Sequence, residues 1–436
     1  MERALDRAVR RRGFATTGPA SSNPSGRAAR GRRGCGASAR AADGAIGHHA
    51  PVPLPAAQRS EIEPFYVMEV MRAAEERELA GVDILHLEIG QPSTGAPRGV
   101  VEAAQAALVS GDPLGYTSAL GTPELRGAIS QHYADTYGLE VPPECIVVTA
   151  GASASCVLAF LACFDQGDRV AVASPGYPCY RNMLATFGAE PVDVEVDAGM
   201  RYQLAPELLE EAMPLGGVVA ASPSNPTGTI LDAPALSRLA QWCRANDVRL
   251  ISDEIYHGIT YEIDAPTALA ATPDAVVINS FSKYFSMTGW RLGWLVIPDN
   301  LLGAVERLTQ NLYISAPTFS QVAAVRAFDC HAELTENVDR YAQNRRVLLD
   351  GLPRAGIDEC APVDGAFYLW ARVGHLCDDS KALCAEWLSE LQIAATPGID
   401  FDPVRGREYV RFSFAGSTAD MEEAMRRLER WHEARG

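Results

Sequence analysis

Lysine is nearly missing from this sequence: of 38 basic residues 36 are arginine, and only Lys283 and Lys381 are lysine. The bias most simply reflects a GC-rich coding sequence in which every lysine that arginine could replace has been replaced, so a surviving lysine draws attention. No stretch of 18 apolar residues occurs, which argues against a membrane-spanning helix. The ten cysteines (Cys35, Cys145, Cys156, Cys163, Cys179, Cys243, Cys330, Cys360, Cys377, Cys384) form no Cys-x-x-Cys pair and no metal-finger spacing, and no signal-peptide core accompanies them. They are expected to be reduced, mostly buried thiols. Positive charge is also short. The balance of 38 − 55 = −17 argues against an extended nucleic-acid or anionic-membrane surface and points to small-molecule partners.

What remains is a chain of 436 residues, 47% hydrophobic and 21% charged, long enough at roughly 100–200 residues per domain for two or three domains with a real core. Residues 1–60 stand apart, with 11 Arg against Glu2, Asp6 and Asp43 (11 − 3 = +8) and almost no periodic apolar residues. This leader is either an organellar transit peptide or translated upstream sequence of a GC-rich genome. The first would place the protein in a mitochondrion or plastid, the second in the cytoplasm.

From about residue 61, short β-rich runs alternate with helical patterns at a spacing of roughly 30 residues, as strand-helix-strand units of a mostly parallel α/β sheet require. Strands are predicted at 146–149, 169–173, 191–196, 218–221, 248–253, 276–280 and 292–297, with helices at 152–164, 180–187 and 233–245 between them. The flanks differ. A helix near 62–81, a long helical region near 319–349 and isolated strands at 366–372 and 408–414 suggest a smaller domain built from both chain ends.

The richest segment is Ser280-Phe281-Ser282-Lys283, followed by Gly289-Trp290-Arg291-Leu292-Gly293, which begins where an apolar strand ends. Open α/β sheets place their ligands at such ends. A solvated surface lysine is the ordinary alternative, but a lysine in a crevice can form a Schiff base if burial or a neighbouring cation keeps its amine partly neutral. Thirty positions earlier, Ser252-Asp253-Glu254-Ile255-Tyr256-His257 closes another strand, and 28 positions before that Pro223-Ser224-Asn225-Pro226-Thr227-Gly228 closes a third. Singly, Asp253 is explicable as a helix cap and the Asn-Pro run as a turn. Jointly, three strand ends supply a lysine, a carboxylate and an amide to one crevice. A fourth, Thr149-Ala150-Gly151-Ala152-Ser153, opens a helix whose first amides could hold a phosphate, with Arg291 as a fixed cation.

These segments, together with Arg411-Phe412-Ser413, resemble the fold-type I pyridoxal-phosphate aminotransferases of the aspartate aminotransferase-like class I/II group, in that family's order and spacing from about residue 61 to the C-terminus. The resemblance implies a large domain with a mixed, mostly parallel seven-stranded sheet covered by helices (111–318), a smaller α+β domain from 61–110 and 319–436, and pyridoxal 5'-phosphate as cofactor. It implies that Lys283 holds the cofactor as a Schiff base and then moves the substrate proton. Asp253 would pair with the pyridinium nitrogen, so that the ring can absorb electrons. Asn225 and Tyr256 would donate to the ring's phenolate oxygen, and Tyr177 would stack on the ring. Ser280, Ser282, Arg291 and the Gly151, Ala152 and Ser153 turn would bind the phosphate, joined by Tyr116 of a neighbouring subunit, which implies a homodimer with shared sites. Arg411 would clamp the substrate carboxylate beside Gly90. No residue matches the second-subunit arginine that selects dicarboxylic substrates in the aspartate enzymes.

The expected reaction is transfer of an amino group between an L-amino acid and a 2-oxo acid. A β-lyase of the C–S type on the same fold is the alternative. A ligand-sensing regulator would need a helix-turn-helix domain, for which residues 1–60 are too short and too poor in apolar periodicity. His86, His132 and His257 show no metal-ligand pattern and are assigned to packing or surface, and Lys381 to a solvated helix start.

Overall fold

The computed structural model describes residues 56–435, so the leader expected over 1–60 lies almost entirely outside the described residues. Seven strands form one sheet: β1 (Ile146–Thr149), β2 (Arg169–Ser174), β3 (Glu190–Glu195), β4 (Gly217–Ala221), β5 (Arg249–Asp253), β6 (Val276–Ser280) and β7 (Gly293–Val296), in the spatial order β1-β7-β6-β5-β4-β2-β3. Each falls within about a residue of its predicted span. β7 runs antiparallel to both neighbours and every other pair is parallel, which is the mixed, mostly parallel sheet expected.

Alternation along these strands feeds two apolar layers. Val148, Val218, Leu250, Val277 and Trp294 pack on one face with Leu125 and Ile129 of the helix Pro123–Tyr137 and Leu239 of the helix Ala233–Ala245. Val147, Val219, Ile251, Val276, Ile278 and Leu295 pack on the other with Leu158 and Phe160 of a helix at Ala152–Cys163. A parallel sheet covered on both faces reads as continuous apolar runs, which is why these strands were legible as such.

A third core draws on both chain ends. A three-stranded antiparallel sheet of β8 (Tyr368–Arg372), β9 (Thr396–Pro397) and β10 (Tyr409–Ser413), in the order β9-β10-β8, packs with Leu348 of the helix His331–Gly351 and Leu428 of the helix Thr418–Glu433. The two-residue strand Leu85–His86 pairs in parallel with Ile393–Ala394 and brings Leu85 and Leu87 into this core. The N-terminal helix, α1, spans Tyr66–Leu79.

The long helical region expected near 319–349 consists of Thr318–Ala324, a 3-10 turn Val325–Asp329 and His331–Gly351. The turn lets Ala323, Ala324 and Ala327 pack under the large sheet while Tyr341 and Leu348 serve the third core. The large sheet's apolar layer also takes in Val100 and Ala104, before residue 110, and Leu334, after residue 318. All nine described cysteines are free, but only Cys156, Cys243 and Cys384 are fully buried, so "mostly buried" overstates their seclusion. Among the described residues no helix is long and apolar enough to cross a membrane.

Candidate active site

Strand register brings the predicted residues to one edge. Thr149 and Ser280 both pair with Gly293, and Asp253 pairs with Ala221 on one side and Ile278 on the other, so the ends of β1, β4, β5 and β6 and the start of β7 share that edge. The segments leaving it surround a cavity of about 360 Å³ whose wall includes Lys283, Asp253, Asn225, Tyr256, Tyr177 and Arg411. This volume lies within the range of small-molecule sites, roughly 300–1,000 Å³.

Lys283 Nζ donates to the Gly90 carbonyl at 2.5 Å. Burial, reinforced by the Arg411 charge and opposed by Asp253, pulls its pKa down to about 8. Burial pushes the Asp253 carboxyl up to about 6, opposed by the Tyr180 hydroxyl, the Ile255 amide (3.0 Å) and the Lys283 charge. Near neutral pH the cavity therefore holds a carboxylate and an amine within reach of its neutral form.

Arg411, on β10, is only 2% exposed, yet the acceptors it has are neutral: Asn225 Oδ1 (3.1 Å), the Glu88 carbonyl (2.5 Å) and Thr396 Oγ1 (3.2 Å). Its guanidinium lies 4.4 Å from the Tyr368 ring centre and 4.7 Å from that of Phe401, and its Nε has no partner. A buried cation held by neutral groups calls for an anion, and a planar guanidinium suits a carboxylate. Gly90 has no room for a side chain, because a Cβ there would collide with the Tyr368 hydroxyl.

At the other end of the cavity lie Ser282, Thr288, Arg291 and the first turn of α2 (Ala152–Cys163), represented by Ala152 and Ser153. Gly151 precedes that turn at φ +89°, and a Cβ there would sit 2.5 Å from Arg291 Nη2. Gly293 is equally constrained, since a Cβ would come within 3.0 Å of the Ala152 nitrogen. Open first-turn amides beside an arginine form an anion seat.

Three predicted residues do not line this cavity: Gly151, which stands just before the first turn of α2, Ser280 and Tyr116. Ser280 Oγ has two acceptors within reach, Ser282 Oγ (2.9 Å) and the Leu292 carbonyl (3.1 Å), and accepts from the Ser282 amide (3.0 Å), so it stands behind Ser282 as a brace. Tyr116 is 82% exposed on the outer surface, on a segment fastened by Thr318 Oγ1 to the Gly115 carbonyl (2.5 Å).

Other residues emerge only in three dimensions. Tyr180 donates to Asp253 Oδ2, and Tyr368 meets Tyr256 hydroxyl to hydroxyl at 2.8 Å. Tyr180 was the more accessible to sequence reasoning, standing one helical turn after Tyr177. Phe65, Val67, Met68 and Met71 form an apolar wall from α1 and the residue before it. His257 is buried between the Tyr137 hydroxyl (2.7 Å) and the Ser222 carbonyl (3.0 Å). Lys381 is not merely solvated: its Nζ lies 4.2 Å over the Tyr66 ring and 3.8 Å from Glu69. Among the described residues no cluster of three or more His, Cys, Asp or Glu could hold a metal ion.

The model of the family described as aminotransferase class I and II matches residues 82–428. The chain is 52% identical over 380 residues to the valine–pyruvate aminotransferase of Mycobacterium tuberculosis, covering 86% of this chain and 98% of that one. It is 34% identical to the (5-formylfuran-3-yl)methyl phosphate transaminase of Methanocaldococcus jannaschii, covering 84% and 96%. Among solved structures, the aspartate aminotransferase of Thermus thermophilus with maleate superposes with a TM-score of 0.82 at 30% identity, covering 87% of this chain and 100% of that one. Matches of this extent, reaching nearly the whole length of each relative, show that the chain belongs to the class I and II aminotransferases.

Proposed function

We propose that this aminotransferase takes its amino group from an amino acid with an aliphatic side chain and passes it to a small 2-oxo acid such as pyruvate. The observation that carries the reading is the distribution of charge in the cavity. Its lining cations are Lys283, Arg291 and Arg411, and the wall beyond them is Phe65, Val67, Met68 and Met71, so this chain offers an apolar surface where a second carboxylate would need a cation. The relative at 52% identity, named for valine and pyruvate, supports the same reading.

Enzymes of this family depend on pyridoxal phosphate, which when bound supplies an aldehyde that captures amines and a ring that accepts electrons from the substrate's Cα. The residues present suit it: an amine of lowered pKa, a buried carboxylate on the facing strand end, and a glycine-lined anion seat that side chains would fill. Lys283 would anchor the cofactor and, once released by the substrate, would take the Cα proton and deliver it to the cofactor's former aldehyde carbon, on the far side of the shared nitrogen. Asp253, aligned by Tyr180, keeps a negative charge opposite the ring nitrogen. Asn225, whose Oδ1 is engaged by Arg411, has its amide N–H left to donate, beside Tyr256. Ala152, Ser153, Ser282 and Arg291 hold the phosphate, and Arg411 the substrate carboxylate. Tyr116 completes the phosphate seat of a second copy; its exposure, with Phe319 and Val322 exposed nearby, supports a homodimer.

Single amino acids added to the holoenzyme without any 2-oxo acid, with cofactor absorbance followed from the aldehyde to the amine form, test the assignment. Valine and its aliphatic relatives should convert the cofactor at least about tenfold faster than aspartate. Faster conversion by aspartate overturns the donor class. Pyruvate and ammonia released from a cysteine-like substrate in the same vessel would mark elimination instead.

A further inference from the structure

The apolar wall is carried by a helix that cannot cap itself. α1 begins at Tyr66, and Phe65 before it has no side-chain acceptor for the first amides. Those amides are taken from 333 and 334 residues away: Asp400 Oδ1 accepts from Tyr66 N (3.1 Å) and Asp400 Oδ2 from Val67 N (3.2 Å). Asp400 is 4% exposed, and burial pushes its carboxyl upward while the two amides and the Arg411 and Arg181 charges oppose the shift. A buried carboxylate on the positive end of a helix satisfies orphan donors and meets the helix dipole, which is a strong form of cap.

The loop that supplies this cap also touches the carboxylate end of the cavity. Phe401, fully buried, packs against Val67 and Trp370 and has its ring centre 4.7 Å from the Arg411 guanidinium. Its carbonyl accepts from the amide of Gly176, the residue before Tyr177, at 3.1 Å. Asp400 and Phe401 thus join α1, the Tyr177 segment and Arg411 through two adjacent residues.

We propose that Asp400 is a positioning residue for side-chain recognition, holding Val67, Met68 and Met71 at a set distance from Arg411 so that an aliphatic side chain is gripped once its carboxylate is clamped. The role rests on the aliphatic-donor reading above. It assigns Asp400 no contact with substrate or cofactor: its cap governs side-chain binding, while its charge, felt by Arg411, opposes rather than aids the carboxylate clamp.

Unreactive carboxylates test it without turnover. In the holoenzyme, dissociation constants for acetate and 3-methylbutanoate are measured through the perturbation of cofactor absorbance, in the parent protein, Asp400→Asn and Asp400→Ala. The parent should bind 3-methylbutanoate at least about tenfold more tightly than acetate. Asp400→Ala should lose most of that preference, with acetate bound at least as tightly as by the parent because a competing negative charge near Arg411 is gone. Asp400→Asn, which keeps one oxygen for one amide, should fall between them and carries the test if the alanine variant fails to fold. KM for valine should rise with little change in KM for alanine. Equal weakening of both carboxylates, or a preference kept in both variants, overturns the role of Asp400 alone. A parent enzyme with no preference for 3-methylbutanoate over acetate overturns the aliphatic-donor reading, and this role with it.

Discussion

Burial acts with opposite sign on the two ionisable groups that face each other across the cavity. It lowers Lys283 to about 8 and raises Asp253 to about 6, so one environment makes the amine more nucleophilic at neutral pH and leaves the carboxylate charged only above its raised value. Capture of the cofactor aldehyde by the cofactor-free protein requires the neutral amine. Its rate should therefore rise with pH to a plateau with an apparent pKa of about 8, followed as loss of free aldehyde absorbance. A midpoint near the ordinary lysine value would show that the amine is not desolvated as the structure has it. At this scale the sequence was informative: Lys283, Asp253, Asn225, Tyr177, Tyr256 and Arg411 all reach the cavity wall. It was less so for Ser280, whose hydroxyl faces Ser282 Oγ and the Leu292 carbonyl, because a sequence does not reveal which of two serines on a strand end turns outward.

Among the elements, α1 has a direct bearing on the cavity. It is tied at its first turn by Asp400 and near its end by Glu78, which accepts from His86 Nε2 at 3.2 Å while His86 Nδ1 meets Glu88 Oε1 at 2.8 Å. Burial by itself would lower the His86 pKa, but the bonds and charges of Glu88 and Glu78 outweigh it and raise it to about 9. The folded value lies above the unfolded 6.5, so this contribution is fully present below pH 6.5 and is lost as pH rises through about 9. Over that window stability should decline by at most ~1.4 kcal/mol per pH unit from this group. His86→Gln should flatten the decline, measured by denaturant unfolding at several pH values; an unaltered slope would show that the bridge is not charged. Hydrophobic periodicity places α1 at roughly the right residues, but Asp400 and His86 bond to partners with no local signature.

Across the whole molecule the open question is where Tyr116 works. Its own cavity does not include it, and Phe319 and Val322 lie exposed at 38% and 40% nearby. Two defective chains can answer. Tyr116→Ala chains and Lys283→Ala chains should each be weak or inactive, yet a mixture allowed to exchange subunits should regain activity. In the hybrid, one site combines an intact Lys283 with an intact Tyr116 from the other copy. No recovery, with hybrid formation confirmed by native mass spectrometry, would place Tyr116 in its own subunit or outside the site. The outcome turns on how the surfaces of two copies meet.

The chain's own order of residues was enough to specify the layered sheet and the chemistry at its edge, because short continuous apolar runs and strand-end polar residues are local patterns. The pairing of Thr149 with Gly293, the 3-10 turn at 325–329 that divides the predicted helical region between two cores, and the cap from Asp400 to Tyr66 were decided only in the folded molecule. Each depends on groups far apart in sequence satisfying one another's hydrogen bonds or filling one another's volume, and no window of sequence contains both partners.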